Sequence, residues 1–339
     1  SVSASSGVAG AVYIIDNSVS GNNVWVYARA SDGSLTSLGS VSTHGLGTGA
    51  GLGSQGAVVL TSDGHWLLVV DAGSNEISVF KVQGTTLAFV SKASSHGTDP
   101  ISLAVHGNLV YVLDAAGSGN IAGFQLSSSG VLKFMSGSKQ PLSGALAPSP
   151  EQIGFNPYGN VLVVTEKGTN TLDTYTVDKS GVADAPNNQT SAGSGPYGFA
   201  FNNDGNLLVS EAATNTVSSY FVSSQGQLRI ISGAIPTFGL APCWLLVDST
   251  GRFAYTTNAH AGTISTFKVS NNGGLTLFSS VAAHTAIPAL DMAFSQNSGF
   301  LYVHNGASIT GYLVFAGGSI SSIASVSGLA SSASGLAAS

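Results

Sequence analysis

The chain has a single cysteine, Cys243, so no internal disulfide can brace it and the fold must hold by packing alone. Charge is equally scarce. Ten Lys and Arg face sixteen Asp and Glu, 8% of 339 residues, for a formal net charge of -6. No run of Lys or Arg occurs, which excludes the basic footprint that nucleic-acid binding requires. No apolar run approaches the length of a bilayer-spanning helix, so no membrane partner is expected. No amphipathic helical stretch stands out, and nothing reads as a linker between two cores. One domain over residues 1–339 is therefore expected, since closed all-β folds often exceed the usual length of a domain.

What is present is apolar material, 43% of residues, with Ser, Thr, Asn and Gly where surface charge would ordinarily stand. That composition predicts a secreted or periplasmic monomer. Ser1-Val2-Ser3 open the sequence in place of Met, which predicts removal of an upstream segment.

One cassette recurs: an apolar strand, a polar residue at its end, a short polar turn and a second β-rich strand. It reads AVYIIDN from Ala11, HWLLVVDAGSNEISVFKV from His65 and LVYVLDAAGSGNIAGFQL from Leu109. It continues as VLVVTEKGTNTLDTYTV from Val161 and LLVSEAATNTVSSYFV from Leu207. FAYTTNAHAGTISTFKV from Phe253 and FLYVHNGASITGYLVF from Phe300 complete seven copies. The strand-end residues Asp16, Asp71, Asp114, Glu166, Glu211, Asn258 and Asn305 lie 43 to 55 residues apart, the spacing of propeller blades. The expected fold is all-β: a seven-bladed β-propeller of four-stranded antiparallel blades.

Pro100, Pro150, Pro196, Pro242 and Pro288 each precede a short apolar segment read as the innermost strand of a blade. The first cassette lacks such a strand, unless Val8-Ala9-Gly10 serves. The final Ser334-Gly335-Leu336-Ala337-Ala338-Ser339 resembles Gly198-Phe199-Ala200-Phe201. The C-terminus is therefore expected to supply the inner strand of the first blade and close the ring, which removes open sheet edges.

In a propeller the inner strands begin, and the second strands end, on one face. The residues after each proline and the strand-end set should then gather at one channel mouth, making it acidic. Asp and Asn at a strand end often cap the following turn. Glu166 and Glu211 reach one bond further and carry more functional weight. Glu151 starts an inner strand, where an unpaired buried carboxylate would be costly, and Lys167 is its nearest partner by repeat position. That pair could be structural or catalytic. Tyr197 and Trp244 could line a pocket or plug the channel. Cys243 reads as a buried thiol, because no base is identified beside it. His260 and His304 fall in adjacent repeats and could approach one another.

The segments SPEQIGFNPYGNVLVVTEKGTNTLDTYTVD from Ser149 and SGPYGFAFNNDGNLLVSEAATNTVSSY from Ser194 resemble the lactonase-type seven-bladed propellers. That family includes propeller 6-phosphogluconolactonases and carboxymuconate lactonizing enzymes. The resemblance implies metal-free lactone opening or closure at one mouth of the channel. It also implies a His where this chain has Glu151, and Pro-Arg-His where it has Pro196-Tyr197-Gly198. A further Arg is replaced by Ala259 and then His260, whereas the family's acidic position matches Glu211. With the anion-binding arginines gone, a phosphorylated or polycarboxylate substrate is disfavoured.

The expected function is a lactonase-like hydrolase or isomerase acting on a neutral, sugar-derived small molecule. Glu151 and Glu211 are its candidate catalytic residues. Gln152, Tyr197, Trp244, Lys167 and His260 are candidates for binding. No cofactor is expected. A calcium ion on the channel axis is a variant that an acidic mouth would allow. The alternative is a non-catalytic secreted propeller that binds a ligand or protein on the same scaffold.

Overall fold

A computed structural model describes residues 7–339; Ser1-Val2-Ser3, the basis for expecting a removed leader, lies outside the described residues. The chain forms seven antiparallel sheets, each with at least four strands in meander order. They are the blades of a seven-bladed propeller, as the repeat predicts.

Blade 1 orders its strands Ser334–Ala338, Val8–Ile15, Asn23–Ala30 and Leu35–Ser42 from axis to rim. The C-terminal strand is thus the innermost one, paired antiparallel with Val12↔Ala338 and Tyr13↔Ala337 in register. Val8-Ala9-Gly10 begins the second strand instead of making the first. The closing strand has its apolar residues Leu336 and Ala337 buried, so the seam is packed as well as hydrogen-bonded.

The inner strands of blades 2 to 7 are Val58–Leu60, Pro100–His106, Pro150–Phe155, Pro196–Phe201, Pro242–Val247 and Met292–Phe294. Four prolines open their strands as expected. Pro288 does not, because regular pairing in blade 7 starts only at Met292↔Val303. The backbone between is still tied to the second strand, with Leu290 N donating to His304 O (2.8 Å) and His304 N to Asp291 O (2.8 Å).

Second strands are buried on both faces, as in Trp66–Asp71 and Val161–Glu166. Their sequences are accordingly near-continuous Val, Leu and Tyr, with no polar alternation. Tyrosines on the second strands of blades 3, 6 and 7 join each of these blades to the next by burying the ring and donating the hydroxyl outward. Tyr111 donates to Gly181 O of blade 4 (2.8 Å), Tyr255 to Gly318 O of blade 7 (3.1 Å) and Tyr302 to Gly33 O of blade 1 (2.8 Å). The last of these crosses the ring closure, so the seam between blades 7 and 1 carries the same link as those between blades 3 and 4 and between blades 6 and 7.

Candidate active site at the channel mouth

The strand-end carboxylates do not make the mouth acidic. Asp71, Glu166 and Glu211 are fully buried, and Asp114 is 1% exposed. Each is held in the seam between two blades. Asp71 accepts hydrogen bonds from Thr43 Oγ1 (2.5 Å), Asn22 Nδ2 (2.9 Å) and Ser78 Oγ (2.6 Å). Glu166 accepts from Ser143 N (2.8 Å), Ser143 Oγ (2.6 Å) and Thr169 Oγ1 (2.5 Å). Glu211 accepts from Ser191 Oγ (2.9 Å), Gly193 N (2.7 Å), Thr216 Oγ1 (2.6 Å) and Ser218 Oγ (2.9 Å). None of these partners belongs to the group around Glu151. The donors come from the blade's own third strand or the turn before it, and from the matching turn or the exit loop of the preceding blade. The extra methylene of Glu reaches that loop's backbone N–H.

Where the third strand of blade 4 carries Asp173 in place of a hydroxyl, two carboxyls meet. Burial and the neighbouring Glu166 push Asp173 up to about 8. Burial opposes the ionised form of Glu166 as well, yet hydrogen bonds from Asp173, Ser143 and Thr169 hold it below its ordinary value. The pair therefore shares one proton near neutral pH.

Glu151 lies at the start of the blade 4 inner strand and is 4% exposed. Its Oε1 forms an ion pair with Lys167 Nζ, the partner expected from the repeat, and accepts a longer bond from Ser149 Oγ (3.4 Å). Burial pushes Glu151 up to about 7, with Lys167 opposing the shift. The Lys167 side chain is 42% exposed and its ammonium lies 5.1 Å from the centroid of the Tyr197 ring. Lys167 thus covers Glu151 from the solvent side. The Tyr197 ring meets Trp244 at 5.1 Å between centroids, and Cys243 is buried beside them with its thiol pushed up to about 12 by burial.

The channel mouth is crossed by the segment Gly51–Gly56 that leads into blade 2, a feature the sequence reading missed. Tyr197 OH donates to Gly53 O, and Trp244 Nε1 donates to Ser54 O (2.9 Å). Ser54 Oγ donates to Ile101 O (2.7 Å), and Leu52 N donates to Ser334 Oγ (3.0 Å). Gln55 crosses furthest. Its N donates to Glu151 O (3.1 Å), its Nε2 to Leu245 O (2.9 Å), and its Oε1 accepts from Leu245 N (3.1 Å). A Cβ at Gly198 would stand 2.4 Å from Gln55 Oε1 and 2.5 Å from Cys243 O. Glycine at 198, where the family resemblance implied a side chain, leaves the room that Gln55 fills.

The remaining candidates are spread out. Gln152 bridges to the next blade, its Nε2 donating to Phe199 O (3.1 Å) and its Oε1 accepting from Phe199 N (2.7 Å). His260 is exposed on its turn. His304 is 1% exposed, its Nε2 meets Gly306 O at 2.7 Å, and burial lowers its pKa. The Glu151 group therefore comprises Lys167, Tyr197, Cys243 and Trp244, with Gln55 from the crossing segment. Gln55 had one visible signal in the sequence: blade 2 alone among blades 2 to 7 lacks a proline before its inner strand.

A family model described as lactonase, seven-bladed β-propeller, matches residues 12–140 and 136–314. The chain belongs to this family. A curated 6-phosphogluconolactonase of Bacillus subtilis is 23% identical over 248 residues, covering 69% of this chain and 71% of that protein. Among solved structures, the periplasmic gluconolactonase of Pseudomonas aeruginosa superposes with a TM-score of 0.73 at 18% identity, covering 96% of this chain and 98% of its own. A functionally unknown protein of Desulfotomaculum acetoxidans gives a TM-score of 0.78 at 14% identity, with 97% and 98% covered. At such identities these structures speak for the fold alone.

Proposed function

We propose that this chain is a lactone hydrolase whose reacting pair is Glu151 and Lys167, acting on neutral lactones at the channel mouth. The observation that carries the reading is Glu151 itself: a buried carboxyl pushed up to about 7 and ion-paired to a half-exposed lysine. Such a group is partly ionised at neutral pH and strong enough as a base to take a proton from water. The water oxygen attacks the lactone carbonyl, and the resulting oxyanion faces the Lys167 ammonium. The ring C–O bond then breaks. The leaving alkoxide takes the proton back from Glu151, and the product is a hydroxy acid.

Substrate charge follows from what surrounds the pair. Positions 197 and 198 hold Tyr and Gly, so Lys167 is the cation at hand, and its charge already faces Glu151. A phosphate or second carboxylate on the substrate would lack a partner. A secreted or periplasmic setting suits the sparse surface charge.

A second reading, a non-catalytic binding propeller, has one observation in its favour. The segment Gly51–Gly56 takes up the Tyr197 hydroxyl and the Trp244 N–H that a substrate would otherwise use. A panel of neutral and phosphorylated lactones assayed with wild type, Glu151→Gln and Lys167→Met separates the two. The hydrolase reading expects turnover of neutral lactones that both substitutions remove. A folded wild type that opens none of them supports the binding module.

A further inference from the structure

Against the crossing segment lies a cavity of about 220 Å³ that Glu151 does not line. Gly53, Ser54, Trp244, Asp291, His304 and Ser334 are among its walls. Asp291 also borders a second cavity, of about 510 Å³, that reaches the ends of the inner strands. It is thus the carboxyl where the two spaces approach the axis.

Most polar groups that line the smaller cavity have partners within the chain. Gly53 O and Ser54 O accept from Tyr197 OH and Trp244 Nε1. Ser54 Oγ donates to Ile101 O, and Ser334 Oγ accepts from Leu52 N. Leu290 O accepts from Thr257 Oγ1, and His304 Nε2 meets Gly306 O. Asp291 differs. It is 3% exposed, its Oδ1 accepts from Met292 N (2.8 Å), and its Oδ2 has no partner among the described residues. Left to itself this carboxyl avoids the cost of an unpaired buried charge by keeping its proton, and a cation seated beside it would let it ionise in the folded protein.

The geometry points to a small quaternary ammonium ion as that cation, seated in the cavity between the Trp244 ring and Asp291. Such a cation brings one positive charge and asks for no hydrogen bonds, which matches walls whose side-chain donors and acceptors are mostly taken. Trp244 puts an aromatic ring, the group onium ions favour, in the cavity wall, and Asp291 can supply the counter-charge. A metal ion fits poorly, since it needs several free oxygen ligands and this cavity presents one unpartnered carboxylate oxygen. Burial dominates at Asp291; the backbone N–H of Met292 and, from outside hydrogen-bond geometry, that of Leu336 favour its ionised form, and no lysine or arginine among the described residues does. The proposal is independent of hydrolysis at Glu151.

Isothermal titration of the full chain with choline tests it, beside the neutral carbon analogue 3,3-dimethylbutan-1-ol. Choline should bind, and the neutral analogue should bind roughly tenfold more weakly or not at all. Asp291→Asn should weaken choline binding by roughly tenfold or more. It should do so without lowering the melting temperature at mildly alkaline pH, where the unpaired carboxylate is a liability. Equal affinity for choline and its neutral analogue would overturn the proposal, as would undiminished binding by the Asn variant. Absence of choline binding up to about ten millimolar would also overturn it. Should the variant fail to fold, the charge comparison on wild type stands alone as the test.

Discussion

Replacing Asp291 with Asn should change how stability responds to pH. Burial pushes the Asp291 carboxyl up to about 8 from its ordinary 3.8. A displacement of about four units corresponds to up to about 6 kcal/mol in favour of the neutral acid in the folded state. The folded protein keeps a proton that the unfolded chain releases above pH 3.8. This contribution is therefore fully present below 3.8 and is lost as pH rises through 8. Between about pH 5 and about pH 9 the loss amounts to up to about 4 kcal/mol. Asparagine has no proton to lose. Urea unfolding of both proteins at the two pH values should then show the difference in stability moving by that amount in the variant's favour at high pH. Parallel pH dependence in the two proteins would refute the reasoning. Asp173 at about 8, Glu151 at about 7 and Asp114 at about 6 act with the same sign. The wild type should accordingly be most stable in mild acid.

Three further outcomes test the packing. Gly198→Ala places a Cβ 2.4 Å from Gln55 Oε1 and 2.5 Å from backbone, so it should destabilise by about 1–3 kcal/mol and loosen the crossing segment, read by hydrogen exchange at residues 51–56. Glu211→Ala leaves four close donors without their acceptor inside a closed seam and should destabilise by about 3–5 kcal/mol in thermal or urea unfolding. Deleting the last ten residues removes the inner strand of blade 1 and should abolish cooperative melting, followed by circular dichroism; an unchanged transition would contradict ring closure at that strand.

The ring was legible because its signals repeat. The cassette fixes blade number, and the likeness of Ser334–Ala338 to the Pro196 strand fixes closure. The likeness exists because both strands fill the same place at the axis. The roles of the strand-end acids were harder to read. Some of their partners are local, such as Ser78 for Asp71 and Thr216 for Glu211, but others come from the preceding blade, 28 residues earlier for Thr43 with Asp71 and 20 for Ser191 with Glu211, where no local pattern joins them. Reading those acids as a charged mouth counted formal charge where burial and hydroxyl donors had already absorbed it. The pairing of Glu151 with Lys167 was visible because both occupy repeat positions. Gln55 and Asp291 were not, since their importance lies in contacts across the channel that break the sevenfold pattern. Functional asymmetry in a propeller arises where one blade departs from the repeat, and a lone departure reads in sequence as an ordinary loop.

The most direct test of the account is the pH profile of kcat/KM for a neutral lactone, measured for wild type and Glu151→Gln. Wild-type activity should rise with an inflection near 7, as Glu151 loses its proton. The substitution should lower it by roughly a hundredfold or more and remove that inflection. Turnover that survives Glu151→Gln with the same inflection would place the reacting base elsewhere and contradict the site.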